Sequence, residues 1–219
     1  MMLVEERKKR SRLAVLKDAR KQEDKKGRAF NSLWDRLDYY DELTDWKSIS
    51  RRYFVIGAFD GALTILGVVL GAYATGHMNK ELVLGAGTGG GIALGISSFV
   101  GAYEAERVEA KLGKRDIERA LLHEIGGDQE KAHSFSMLFS SFIHGIAPLI
   151  AAFVPIIPFL FFEGTVAMVL AIGITFALLF IIGAYLGTLT KERAIISGIR
   201  LLLVGMATAA ICYLLGGVH

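Results

Sequence analysis

Cysteine is nearly absent: Cys212 is the single one in 219 residues, which excludes an intrachain disulfide framework. Proline is scarce as well, and its 3 copies, Pro148, Pro155 and Pro158, are crowded into one apolar stretch. The first fifty residues contain no apolar run long enough to cross a bilayer. The opening MMLVEERKKRSR is charged and lacks the apolar core of a signal peptide, so none is expected. Hydrolytic chemistry finds no support either, and the chain is not expected to be an enzyme. Ser140, Ser141 and His144 fall on one helix, but no nucleophile, base and orienter recur at a catalytic spacing.

What is present in excess is apolar sequence. The chain is 53% hydrophobic, and its mean hydropathy of +0.43 is too high for a water-soluble domain of this length. A spanning helix needs about 20 mostly apolar residues. Such runs occur at 54–73, 82–102, 135–162, 166–186 and 195–215. The expected fold is therefore all-α, a polytopic membrane protein with five transmembrane helices. It has a cytosolic helical hairpin between spans two and three and an N-terminal amphipathic helical region. Residues 1–50 are expected to form a cytosolic or interfacial extension, and 51–219 the membrane domain, including a hairpin at 104–133. Basic residues give the orientation, because they accumulate in cytoplasmic segments. Of 25 Lys and Arg, only Lys80 would lie on the far side if the N-terminus is cytosolic. The C-terminus is then outside, and the net charge of +3 needs no nucleic-acid partner.

Residues 3–28 are strongly charged and suit a helix on anionic lipid or a partly disordered tail. In FNSLWDRLDYYDELTDW, Phe30, Leu33, Trp34, Leu37 and Tyr40 recur at helical spacing with acids opposite. Two readings stand: an interfacial helix, or one packed on the protein's own cytosolic surface. GAGTGG matches a G-x-G-x-x-G nucleotide fingerprint through Gly85, Gly87 and Gly90, but it lies inside a spanning run with no βαβ context and is rejected. Glycines four residues apart, Gly57 with Gly61, Gly67 with Gly71, and Gly87, Gly91 and Gly95, instead predict close helix approach in lipid. The three prolines predict a kinked or broken outer half of span three.

One carboxylate interrupts the apolar pattern. Asp60 in GAFDGALTILG is the seventh residue of its span, about 9 Å below the boundary at 1.5 Å per residue. A short acid at that depth marks a functional site by default, the alternative being a hydrogen-bonded group that glues two helices. Ser97 and Ser98 lie near the cytosolic end of span two, with Glu104 at its mouth. His133, Met137, Ser140, Ser141 and His144 recur at steps of three and four along span three. Carboxylate, hydroxyl, imidazole and thioether together suit a divalent transition metal such as Fe²⁺ or Mn²⁺. His144 alone fits an interhelical hydrogen bond equally well. The hairpin carries Glu104, Glu106, Glu109, Asp116, Glu118, His123, Glu124, Asp128, Glu130 and His133. These form either a cation-collecting surface, with Glu106 and Glu109 as its best pair, or ordinary exposed ion pairs.

RRYFVIGAFDGALTILGVVLGAYA resembles the first span of the vacuolar iron transporter family, with its basic pair, Gly-x-x-Asp-Gly core and glycine-spaced helix. GISSFVGAYEAE, FVPIIPFLF and SGIRLLLVGMATAAICYLLG follow in the family's order, so the resemblance spans about residues 50–217. It implies a five-span homodimer in the lipid bilayer that carries Fe²⁺ or Mn²⁺ out of the cytosol against protons. Asp60 would lie in the path, and no cofactor would be tightly bound. The metal set expected on this reading is Asp60, Ser98, Glu104, Glu106, Glu109, His133, Met137 and His144. A prokaryotic plasma membrane is the expected location. Two positions depart from the family pattern: Ser98 stands where a methionine is usual, and Ala102 where a glutamate is usual, with Glu106 one turn on. Loss of the soft ligand shifts preference towards Mn²⁺ or another hard ion. The competing class is a non-transporting metal sensor or membrane scaffold on the same frame.

Overall fold

The structure, a computed structural model, describes residues 33–121 and 127–216. Among the described residues all regular structure is helical: α1 (Leu33–Thr44), α2 (Trp46–Ala74), α3 (Lys80–Leu121), α4 (Asp128–Ile156), α5 (Pro158–Phe161), α6 (Gly164–Leu189) and α7 (Ala194–Gly216). Five stretches are long and apolar enough to cross a membrane: Trp46–Ala74, Lys80–Arg115, Gln129–Phe161, Gly164–Leu189 and Ala194–Gly216. Each contains or closely overlaps one of the apolar runs. The helices outlast those runs because an established helix adds one hydrogen bond per further residue, and polar ends such as YEAERVEAKLGK favour helix. The continuation of the second span past Ala102 is thus observed, to Leu121.

Punctuation is local. The Asn79 side chain accepts from the Leu82 N–H at 2.6 Å and caps α3. Gly76, φ 71°, turns the chain out of α2, and Gly127, φ 85°, stands immediately before α4. Asp45, φ 52°, is the one residue between α1 and α2.

The described helices divide into two compact units, one from residues 1–49 and 103–139, the other from 50–102 and 140–219. In the second unit α2 is the central helix. Its Val55 and Ala58 pack with Ala147, Ala151 and Ile182; its Ile65 packs with Ala152 and Ile156; its Val69 and Ala72 pack with Val83, Phe159 and Ala171. Exposed side chains such as Ile196, Leu203, Val204 and Leu214 crowd α7, as a lipid-facing helix requires.

Glycine sets the closest crossings. A Cβ at Gly61 would press on the Pro148 carbonyl and lie 2.7 Å from Pro148 Cα. One at Gly95 would lie 2.8 Å from the Gly145 carbonyl, and one at Gly91 3.1 Å from Ala152. The expected close approach holds for Gly57, Gly61, Gly87, Gly91 and Gly95. It fails for the pair Gly67 and Gly71: the first makes ordinary contact with Cys212, 3.7 Å, and the second faces open space. There Gly216, on the facing helix, is the small residue that matters, 2.7 Å from Ala74 Cβ if substituted.

Proline breaks span three, but late. Pro148 and Pro155 sit inside α4, and the helix is interrupted only at Ile157, after which Pro158 starts the single turn of α5. The ammonium of Lys80 donates to the Leu160 carbonyl at 3.2 Å, satisfying an acceptor at the end of that turn.

In the first unit α1 resolves the two readings of its apolar stripe by using both faces. Tyr39 and Tyr40 are buried with Ala132, flanked by Leu43, Trp46 and Phe135. Trp46 stands edge-on to Phe135 and Phe139 at 5.5 and 5.0 Å, and its indole N–H donates to the Leu37 carbonyl. Leu33 and Trp34, by contrast, are 74% and 76% exposed. Phe30 and the charged segment 3–28 lie outside the described residues, as do His123 and Glu124.

Candidate metal path around Asp60

Asp60 is placed by the two glycines that flank it. Gly57 and Gly61 form the face of α2 that presses on α4 at His144, Ala147 and Pro148. Asp60, adjacent to Gly61 and three residues beyond Gly57, stands about 60–100° round the helix from that contact line, at its edge. Its side chain is half-buried. The Thr64 hydroxyl donates to the Asp60 backbone carbonyl at 2.8 Å and leaves the carboxylate alone. Among the described residues no hydrogen bond or ion pair reaches that carboxylate.

His144 is held more firmly. Its Nδ1 lies 3.0 Å from the Tyr53 carbonyl oxygen, and its ring centre is 4.8 Å from that of Tyr53, the two planes tilted by 40°. A carbonyl can only accept, so Nδ1 carries the hydrogen. In the neutral ring Nε2 is then the free lone pair, the state of a metal-binding or proton-accepting imidazole. The interhelical bond expected of a structural histidine is therefore present, and it fixes the tautomer that ligation needs. Gly57, three residues before Asp60, packs on the His144 carbonyl, so the two residues belong to the same helix crossing.

One group nearby carries no mark in a side-chain reading. Pro148 has no N–H to return to the carbonyl four residues back, so the His144 carbonyl loses its helical partner. That oxygen is turned towards Gly57, 2.9 Å from where a Cβ would sit. The sequence signal was available: a histidine four residues ahead of a proline inside a span.

Ser98 is half-buried on α3, next to Phe99, whose Cβ abuts Gly145, the neighbour of His144. Ser97 is exposed, whereas Ser140 and Ser141 are fully buried. No group of three or more His, Cys, Asp and Glu able to hold a metal occurs among the described residues.

In the other unit, burial along α4 is graded. His133 is exposed and Met137 half-buried. Glu104 is clasped by Arg107, both carboxylate oxygens 3.1 Å from Nη1, and Lys114 reaches Glu130 at 3.5 Å. Those two acids make the exposed ion pairs of the bland reading. Glu106 is half-buried and Glu109 exposed one turn on. The side chains of Asp116, Glu118 and Asp128 lie outside the described residues.

Comparison with known proteins follows the same segments. A profile of the VIT family matches residues 51–133 and 117–217, together nearly all of the membrane-spanning chain. An uncharacterized protein from the archaeon Methanocaldococcus jannaschii is 37% identical over 168 residues, 75% of this chain and 87% of its own length.

Proposed function

The chain belongs to the VIT family, and from that premise we propose that it is a transporter of divalent metal, Fe²⁺ or Mn²⁺, that exports its ion from the cytosol in exchange for protons. The observation that carries the reading is the Asp60 carboxylate, half-buried on the central spanning helix with no hydrogen bond or ion pair among the described residues. A charged acid left unpaired in an apolar bundle is expensive, and a cation or a proton from outside the chain relieves it. Asp60 is thus the central ligand and the group protonated on the return step. Alternating access requires only that it favour metal in one state and proton in the other.

His144 offers Nε2 to the same ion, and Ser98 a hydroxyl. With serine in place of a thioether, the donors are oxygen and imidazole nitrogen, a set that suits Mn²⁺ at least as well as Fe²⁺. Glu106 and Glu109, with His133 and Met137 on the same unit and Glu104 once released from Arg107, are assigned to collecting the cation at the cytosolic side. The chain would sit in a prokaryotic plasma membrane with its N-terminus inside and its C-terminus outside.

The family premise also implies a homodimer, and α3 supplies a suitable face. Gly85, Gly89, Ala93, Ser97 and Gly101 recur every four residues and are all exposed, and no described residue lies within 4 Å of a Cβ built at any of its three glycines. Small residues so spaced let a second backbone approach closely.

The test is Mn²⁺ and Fe²⁺ uptake into proteoliposomes under an imposed pH gradient, comparing wild type with Asp60→Asn. Metal-specific, gradient-dependent flux that the substitution abolishes is expected. Wild type that binds metal yet carries no flux above empty liposomes would sink the transporter in favour of a sensor or scaffold.

A further inference from the structure

From residue 190 to residue 216 the chain holds three basic side chains, Lys191, Arg193 and Arg200, and one acid, Glu192. Lys191 and Arg193 stand in the turn between α6 and α7, where Lys191 takes φ 58°. Arg200 does not share that position. It is the seventh residue of α7, about 9 Å along the axis from Ala194 at 1.5 Å per residue, inside a helix apolar enough to cross a membrane. Its side chain is nevertheless 66% exposed.

Helix geometry says what surrounds it. α7 packs on α6 through Ser197, Gly198, Leu201 and Gly205, which meet Gly183, Gly187 and Leu179. Arg193, Ile196, Arg200 and Leu203 recur at steps of three and four on another flank, and all four are exposed. A guanidinium among lipid-facing side chains is costly unless something pairs with it. The chain supplies a partner only in part. Glu192 Oε2 lies 3.7 Å from Arg200 Nη1, near enough to attract and too far for a hydrogen bond, and the same oxygen accepts from the Ser197 hydroxyl at 3.2 Å.

The solvent of that flank is the bilayer itself, because only 17% of the apolar window of α7 is covered within the chain. Phospholipid matches the flank in both its parts. The planar fork of an arginine fits a phosphate with two parallel hydrogen bonds, and its long stem lets the charged head reach the headgroup level while its methylenes stay among apolar neighbours. Ile196 and Leu203 offer acyl chains the contact that such neighbours require.

We infer that Arg193 and Arg200, on one flank of α7, form a docking site for the phosphate headgroup of an anionic phospholipid, with Ile196 and Leu203 beside its acyl chains. Glu192 tunes the site by cancelling part of the Arg200 charge. The contact is made by side chains along the flank, and it holds whether or not the chain carries metal.

The full chain, purified and stripped of lipid in detergent, is titrated with phosphatidylglycerol, phosphatidylcholine or inorganic phosphate, and bound lipid is counted by native mass spectrometry. Arg200→Gln and Arg193→Gln are each expected to weaken phosphatidylglycerol binding about fivefold, the effect of one basic side chain at an anionic headgroup. Lys111→Gln, which removes the same charge from α3, is expected to leave it unchanged. Glu192→Gln is expected to tighten it, a reading that stands even if Arg200→Gln fails to fold. Arg200→Gln that binds as tightly as Lys111→Gln overturns the inference, as does Glu192→Gln that binds no tighter than wild type. Phosphatidylcholine bound as well as phosphatidylglycerol overturns the preference for an anionic lipid. Displacement of phosphatidylglycerol by an equal concentration of inorganic phosphate would make this a site for the free ion and overturn the assignment to lipid.

Discussion

Gly61→Ala tests whether the approach of α2 to α4 holds the candidate path together, and Gly71→Ala is its internal control. Both replace a glycine in the same helix with alanine, so both gain about 1 kcal/mol of helix propensity. Only one meets an obstacle. The new methyl at residue 61 would press on the Pro148 carbonyl and sit 2.7 Å from Pro148 Cα, where ordinary contact begins at 3.4 Å. At residue 71 nothing lies within 4 Å. Parting the helices by a few tenths of an ångström or more amounts to overpacking, which costs about 1–3 kcal/mol. The propensity gain cancels between the variants, so the gap between them is that cost, about 2 kcal/mol. For a chain of this size the gap amounts to about 4–8 °C in Tm. Thermal unfolding in detergent, read as the monodisperse fraction after heating, measures it. The same parting would lengthen the 3.0 Å bond from His144 to the Tyr53 carbonyl, one turn away, so Mn²⁺ flux is expected to fall with Tm in Gly61→Ala and to hold in Gly71→Ala. Equal melting of the two variants would refute the argument, because the glycine at 61 would then not be needed for approach.

Two further substitutions separate roles that one structure can confuse. Gly89→Ile places a branched side chain where no described residue lies within 4 Å of its Cβ, so the stability of the monomer should hold within about 1 kcal/mol while light scattering after chromatography shows the proposed dimer lost; a dimer that persists would move its interface off this face of α3. His144→Gln keeps an N–H for the Tyr53 carbonyl and removes the imidazole, so folding should be retained and metal flux should fall at least about tenfold, the effect of losing one ligand or its orienting contact. Flux at the wild-type level in that variant would leave His144 as an interhelical tie alone.

The spans could be read from sequence because twenty apolar residues in a row need no tertiary context to become a helix in lipid, and 82–102 or 195–215 admit no other use. Partnering was less legible. Gly57 with Gly61 and Gly67 with Gly71 have the same spacing, yet Pro148 fills the space before one pair and the other is open. Spacing permits approach and does not name the helix that approaches. For the same reason Gly145, the counterpart of Gly95, and the seam of Gly183 and Gly187 against Ser197 and Gly198 went unread, although the four-residue step of Gly183 and Gly187 was in view. The apolar stripe of α1 likewise said which residues seek cover without saying what covers each, and the structure divides them between Ala132 with Phe135 and open surface. At the site, Asp60 was legible as a charge in the wrong solvent. The anchor of His144 was not, because a backbone carbonyl such as that of Tyr53 leaves no mark in a sequence.

The two functional classes make different demands on the donors round an ion. A sensor must hold its ion long enough to change conformation, which calls for several preorganised protein ligands closing round it. A transported ion has the opposite requirement: binding must be favourable enough for entry and weak enough for exit. On the proposed reading Asp60 and His144 would supply one carboxylate and one imidazole, leaving the rest of a six-coordinate ion's sphere to water or to a second copy of the chain. Such an ion keeps part of its hydration and can leave again. The same economy explains why an unpaired acid is tolerated in the bundle at all. On the proposed reading a fully ligated Asp60 would be stable and slow, whereas one whose partners arrive from solution would exchange a metal for a proton as each becomes available on its own side.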